Sequence, residues 1–253
     1  MNIRLMEIGD FSACYDLWLR TPGMGLNNID DSPEGIGRYL RRNPNTCFVA
    51  EEEGRIVGVK PAAPVVFFYG DSITEGHSVE DKDNNRYDNV LKELCSLKEV
   101  RNYGVGGTRI AHQFRPSAEA RWDLNFCGRA EKMNTDADIV VVFGGTNDYG
   151  HGDAPLGNMW DRDVWSFYGA CHVLFSGLIA KYPGKPIVIM TPMHRVTELD
   201  KNTPLRDFVQ AEREVAEFYS IPVLDLWANL GICARVPVQK ELYFKDMVHP
   251  NDR

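Results

Sequence analysis

The stretch FFYGDSITEG, Phe67 to Gly76, runs from an aromatic, apolar segment into a glycine, and two residues later reaches a serine. Aromatic and β-branched residues favour a strand, and Gly70-Asp71-Ser72 has the composition of a turn. The same texture recurs downstream in DIVVVF (Asp138–Phe143) and PIVIMT (Pro186–Thr191). These runs are continuously apolar, without the alternation of a half-exposed sheet. Both faces of such strands are expected to be buried, as in a parallel sheet with helices on each side.

Working outward, strands are predicted at Val65–Tyr69, Glu99–Tyr103, Ile139–Phe143, Pro186–Thr191 and Pro222–Asp225. Helices are predicted at Tyr87–Leu97, Val164–Lys181 and Leu205–Tyr219, with a further one around Ser117–Lys132. The texture changes at KPAAP, Lys60 to Pro64. Before it, IRLMEIGDFSACYDLWLRTPG reads as a strand and then a helix, with Gly9-Asp10 as its N-cap region. DSPEGIGRYLRRNP reads as a second helix, with Ser32 as cap and Pro33 at the first position. TCFVAEEEGRIVGV reads as a hairpin. Residues 1–59 are therefore expected to form a small β-α-α-β-β segment, and residues 60–253 an α/β domain.

The bulk numbers narrow the function. Of 253 residues, 36 are acidic and 28 basic, for a net charge of −8. That balance speaks against nucleic acid or an anionic membrane surface as a partner, because phosphate binding needs a basic face. No apolar run is long enough to span a bilayer, and MNIRLMEIGDF has no apolar leader core. The six cysteines are scattered without a CxxC pair, which reads as thiols in a reducing compartment. A cytoplasmic location is the expectation. Metal-ligand spacing and a phosphate-binding loop are both missing, so no cofactor is implied.

In an open parallel sheet, ligands bind beyond the carboxyl ends of the strands. The segments there are GDSIT (Gly70–Thr74), GVGGTR (Gly104–Arg109) and GGTNDYG (Gly144–Gly150), all rich in glycine and small polar residues. Near the C-terminus, FKDMVHPND places Asp246 three residues before His249. On one helical turn these share a face, so the carboxylate would hold one imidazole nitrogen and leave the other for a serine. Each piece alone has a plainer reading: an ordinary turn serine, a surface Asp–His pair, a helix-capping Asn147. His77 and His151 are near enough in sequence to line a pocket but read more readily as loop residues. Arg109 and Tyr149 are candidates for its edge, and His112, His172 and His194 have no partner pattern.

Taken together and in order, the four segments resemble the four blocks of the SGNH (GDSL) hydrolase family, over about residues 62–252. The resemblance implies a flavodoxin-like three-layer α/β/α fold with a five-stranded parallel sheet. It makes Ser72 the nucleophile, His249 the general base and Asp246 the residue that orients it. Gly107, through its backbone N–H, and Asn147, through its side-chain amide, would stabilise the oxyanion together with the Ser72 N–H. The activity implied is hydrolysis of an acyl ester through an acyl-enzyme; because no long apolar lid segment is evident in the sequence, a short acyl group, such as acetyl on a carbohydrate, is the expectation. Thr74 stands where a G-x-S-x-G elbow has its second glycine. Family members continue past this last block into a further helix, so the His249 segment, close to Arg253, is expected to be loosely held.

Residues 1–59 resemble the front half of a GNAT-type N-acetyltransferase, carried by IRLMEIGDFSACYDLW, the second short helix and the CFVAEEEGRIVGV hairpin. The glycine-rich turn that binds acetyl-CoA in that family does not follow, so no transferase activity is expected. The alternatives to an esterase are an acetyltransferase-related protein and a catalytically silent fusion.

Overall fold

A computed structural model describes residues 2–44, 46–61, 63–199 and 202–253, with only the backbone of Lys60 and Pro61. The chain divides into two compact units, Met1–Ala63 and Pro64–Arg253. Ala62, inside the KPAAP junction, lies outside the described residues.

In the first unit, β1 (Asn2–Leu5), β2 (Cys47–Glu52) and β3 (Arg55–Pro61) form an antiparallel sheet in that order. Helices Phe11–Arg20 and Pro33–Arg42 lie between β1 and β2 in sequence. Ser32 Oγ accepts from the Gly35 N–H at 3.0 Å, which satisfies one orphan donor of the second helix. Asp10 does not cap the first helix with its side chain. Its carboxylate instead takes Arg4 at 2.8 Å and the Glu7 N–H at 2.9 Å, closing a 3-10 turn before the helix begins. Met6, Cys14, Cys47 and Val49 form this unit's own core.

The second unit holds a five-stranded parallel sheet: β4 (Val65–Gly70), β5 (Glu99–Gly104), β6 (Ile139–Phe143), β7 (Ile187–Met190) and β8 (Val223–Leu224). Their order is β5-β4-β6-β7-β8, and every pairing is parallel. All six residues of β4 are buried, as its unbroken apolar run requires, whereas edge strand β5 is half-buried throughout. Alternate residues serve opposite faces. Phe67, Tyr69, Val140, Val142, Ile187 and Ile189 pack into the core that contains helices Phe167–Lys181 and Leu205–Phe218. On the other face, Phe68 meets Tyr87 of helix Tyr87–Leu94 edge-on, and Phe143 and Met190 join Ile73. The strand order reverses beside β4, between β5 and β6. A crevice therefore opens at their carboxyl ends, where the three glycine-rich loops emerge.

One predicted helix does not form. Over Ser117–Lys132 the chain makes a 3-10 turn, Ala120–Asp123, and a short helix, Phe126–Ala130. Asp123 bonds backward to the Ser117 N–H and hydroxyl at 3.0 and 2.6 Å, and Asn125 caps a fresh start by accepting from the Gly128 N–H. Short polar side chains of this kind compete with the helical ladder and end it.

Candidate active site

The turn after β4 is built by its own side chains. Asp71 Oδ1 accepts from the Ile73 N–H at 3.0 Å, starting the one-turn helix Ser72–Glu75. Gly76 then reverses the chain in the left-handed region (φ 82°), and the His77 N–H donates to the Ser72 carbonyl at 2.8 Å. Burial raises the Asp71 carboxyl to about 7, although the Ile73 N–H and the charges of Arg129 and Arg195 pull the other way. Ser72 is thereby held at the crevice, 7% exposed.

Asp246 and His249 approach Ser72 from the other end of the chain. Ser72 Oγ lies 2.8 Å from His249 Nε2, and His249 Nδ1 lies 2.7 Å from Asp246 Oδ2. With Nδ1–H donating to the carboxylate, Nε2 is left to accept from the serine hydroxyl. The Asp–His pair does not sit on a helical turn, as the spacing had suggested. Asp246 Oδ1 instead accepts from the Val248 and His249 N–H groups, both at 2.7 Å, in a side-chain-closed turn. These bonds outweigh burial and bring the Asp246 carboxyl below its ordinary value. Burial lowers the His249 pKa; Asp246 opposes this, while His77 and Arg195 add to it.

The His249 segment is better tied than its place near Arg253 had implied. The Asn251 N–H donates to the Tyr243 carbonyl at 2.8 Å, the Lys245 N–H to the His249 carbonyl at 3.1 Å, and Asp252 accepts from the Glu80 N–H at 2.8 Å.

The loops after β5 and β6 supply the remaining groups. Gly107 has φ +78°, and Trp122 packs so tightly over it that a Cβ would fall 2.7 Å from the indole Cγ. Glycine is required there on both counts. Among the described residues, neither the Gly107 nor the Ser72 N–H donates to any protein group. Asn147, 9% exposed, gives one amide hydrogen to the Thr108 carbonyl at 3.0 Å, which orients the other. Asp148 anchors the same loop by accepting from the Ile110 and Ala111 N–H groups at 2.9 Å, and burial raises its carboxyl to about 7.

Ser72, Gly107, Asn147 and His249 line one open cleft of about 420 Å³. His77 and His151 line it too, contrary to the plainer loop reading. The His77 ring stands 4.4 Å from that of His249, and His151 lies 4.8 Å from Trp122. Arg109 and Tyr149 are each 2% exposed and do not reach the cleft. Arg109 instead fastens the neighbouring loop by bonding Asp123 at 2.8 Å. His112, His172 and His194 bond Asn125, Tyr219 and Glu198 respectively. Reading the sequence missed Glu75, Arg121, Trp122 and Arg195 on the cleft wall, and the role of Arg129. The Arg129 guanidinium ties the Tyr103 and Gly70 carbonyls together at 2.8 and 3.0 Å. His77, Asp246 and His249 are the one group among the described residues whose donor atoms come within 4.8 Å of one another, as a metal site would require. Two of the three are already bonded to each other. His77 also borders an apolar cavity of about 530 Å³ lined by Ile73, Phe143, Met190 and Leu226.

Comparison with known proteins bears on this arrangement. One solved structure is 31% identical, with a TM-score of 0.64, over 74% of this chain and 89% of its own. The crystal structure of a protein from Lactobacillus plantarum is 27% identical, with a TM-score of 0.64, over 75% and 89%. A protein from Chitinophaga pinensis, described as a possible lipase, shares the fold at 18% identity and a TM-score of 0.54, over 75% and 92%. No curated protein matches the chain. The family model described as GDSL-like lipase/acylhydrolase matches residues 68–253, the span that carries all three glycine-rich loops and the Asp–His turn, and the chain belongs to that family.

Proposed function

We propose that the chain is a serine esterase that hydrolyses small acyl esters through an acyl-enzyme on Ser72. The observation that carries this reading is the relay Asp246–His249–Ser72, at 2.7 and 2.8 Å, opening on a cleft that also holds Gly107 and Asn147. A serine hydroxyl is a poor nucleophile until a base takes its proton. His249 Nε2 removes that proton as Oγ bonds to the ester carbon and the carbonyl π electrons move onto oxygen. The oxyanion is met by the Ser72 and Gly107 N–H groups and the Asn147 amide. Collapse breaks the bond to the alcohol oxygen, which leaves with the proton from His249. Water then repeats the attack with His249 as base, releasing the acid and restoring Ser72. Asp246 holds the imidazole in the required tautomer and stabilises its charged form.

Ser72→Ala should abolish hydrolysis of p-nitrophenyl acetate while its melting temperature stays at the wild-type value. Turnover near the wild-type rate in that variant would sink the reading. Within it, a short acyl group, acetyl on a carbohydrate, is favoured because the cleft is open and no long apolar lid covers it among the described residues. The apolar cavity beside His77 favours a second reading, with a longer acyl chain seated there. A series from acetyl to palmitoyl esters separates the two: a kcat/KM falling with length supports the first, one peaking at intermediate length the second.

The β-α-α-β-β order of the first unit supports its reading as an acetyltransferase-like piece. No transferase activity is assigned to it, and calorimetric titration with acetyl-CoA should give no binding heat.

A further inference from the structure

In a chain of net charge −8, the cleft reverses the sign. With histidine counted as neutral in both, its described lining carries Arg121 and Arg195 against one carboxylate, Glu75. That carboxylate is already used. Glu75 accepts from the Gly106 N–H at 3.0 Å and from Arg121 Nη2 at 2.8 Å. The two bonds pin a half-exposed guanidinium beside the loop that carries Gly107. Arg121 Nε and Nη1 donate to no group among the described residues.

The placement is close to the ester. A Cβ built on Gly106 would lie 3.2 Å from Arg121 Nη2 and 3.4 Å from Ser72 Cβ. The guanidinium, the Glu75 carboxylate bonded to it and the serine thus flank Gly106, which puts Arg121 within a few bonds' reach of an ester carbonyl at Ser72. The next residue, Trp122, is half-buried on the cleft wall, with its indole against Gly107 and His151. A flat aromatic wall beside a fixed polar group suits a ring with an apolar face and hydroxyls at its edge.

We propose that the alcohol part of the ester is a carboxylate-bearing sugar, its ring against Trp122 and its carboxylate on Arg121. The proposal rests on the esterase reading above. Two matched substrates test it: methyl 4-O-acetyl-glucopyranosiduronate and methyl 4-O-acetyl-glucopyranoside, which differ only in a carboxylate against a hydroxymethyl group. p-Nitrophenyl acetate, which has no sugar, serves as the third. A charge-assisted hydrogen bond is worth roughly 10- to 100-fold in affinity. The wild type should therefore prefer the uronate by about that factor in kcat/KM, mainly through KM, and the preference should shrink as salt rises.

Arg121→Gln should remove the preference, and Arg121→Lys should keep part of it. Trp122→Ala should lose both sugars relative to p-nitrophenyl acetate. Because each ratio is taken within one variant, general damage to the oxyanion loop cancels. Equal turnover of the two sugars by the wild type, turnover of p-nitrophenyl acetate alone, or an unchanged ratio in Arg121→Gln overturns the proposal and leaves the esterase standing. No turnover of p-nitrophenyl acetate by the wild type overturns the esterase reading, and this proposal with it.

Discussion

Adding one methyl group at Gly107 probes the oxyanion loop without removing a donor. At φ +78° an L-residue pays about 1–2 kcal/mol in the left-handed region. The new Cβ would also stand 2.7 Å from Trp122 Cγ. Trp122 Cδ1 and Nε1 would be nearer still, and carbon atoms settle near ~3.5 Å, so about 1.5 Å must be taken up by the ring or by the backbone. Trp122 also packs against His151, so part of the shift falls on the Gly107 peptide. A shift of about 1 Å in a reacting group costs ~10²-fold, and complete loss of one oxyanion donor ~10²–10³-fold. Gly107→Ala should therefore lower kcat by about 10²-fold with little change in KM, the signature of an interaction made in the transition state. Steady-state hydrolysis of p-nitrophenyl acetate reads both constants. The double variant Gly107→Ala/Trp122→Ala removes the collision but keeps the dihedral strain, so it should recover roughly tenfold in kcat over Gly107→Ala alone. If Gly107→Ala keeps kcat within about threefold of wild type, the Gly107 N–H is not an oxyanion donor and the reasoning fails.

Because burial holds the His249 pKa below its ordinary value, the acid limb of kcat/KM should fall at a pH below 6.5; a pH–rate profile with its limb above 6.5 contradicts this. Asp246→Asn should lower kcat by on the order of 10⁴-fold, since an amide favours the wrong imidazole tautomer; single-turnover kinetics will show whether acylation is the step affected. Glu212 is 1% exposed, neither carboxylate oxygen finds a partner among the described residues, and burial raises its pKa well above 4.5. The folded state therefore holds that proton when the unfolded chain has lost it, so stability present below pH 4.5 is lost as pH rises toward the folded value. Urea titrations across this range should show that decline in the wild type and a flatter profile in Glu212→Gln. Each unit has its own core, so a chain starting at Pro64 should keep the melting temperature and kcat of the whole; collapse of both would show that the first unit supports the second.

The parallel sheet was legible because burial on both faces leaves an unbroken apolar run, and β4, β6 and β7 each carry one. The groups nearest Ser72 were legible because each sits at a strand end or in a short motif. The Asp246–His249 pair was found for a partly wrong reason. Three-residue spacing also brings the two side chains together in a turn closed by the aspartate, and spacing alone does not tell that turn from a helix. The wall formed by Arg121 and Trp122 was not legible. The course of Ser117–Lys132 is set partly by the local bonds of Asp123 and Asn125 and partly by distant ones, Arg109 to Asp123 and Arg129 to the β4 and β5 carbonyls, and together they leave no helical period. Arg109 and Tyr149, flanked by glycine-rich motifs, had the composition of pocket residues, yet Arg109 fastens Asp123 and the Tyr149 hydroxyl donates to the Thr197 carbonyl. Their burial depends on contacts that a single chain does not announce.

The central claim is that Ser72 is activated by His249. A fluorophosphonate probe labels only a serine whose proton has a ready acceptor, so peptide mapping of the labelled protein by mass spectrometry tests the claim most directly. One equivalent of label on the peptide containing Ser72, lost in His249→Ala, is the result predicted. Label on another residue, or none on the folded wild-type protein, would contradict it.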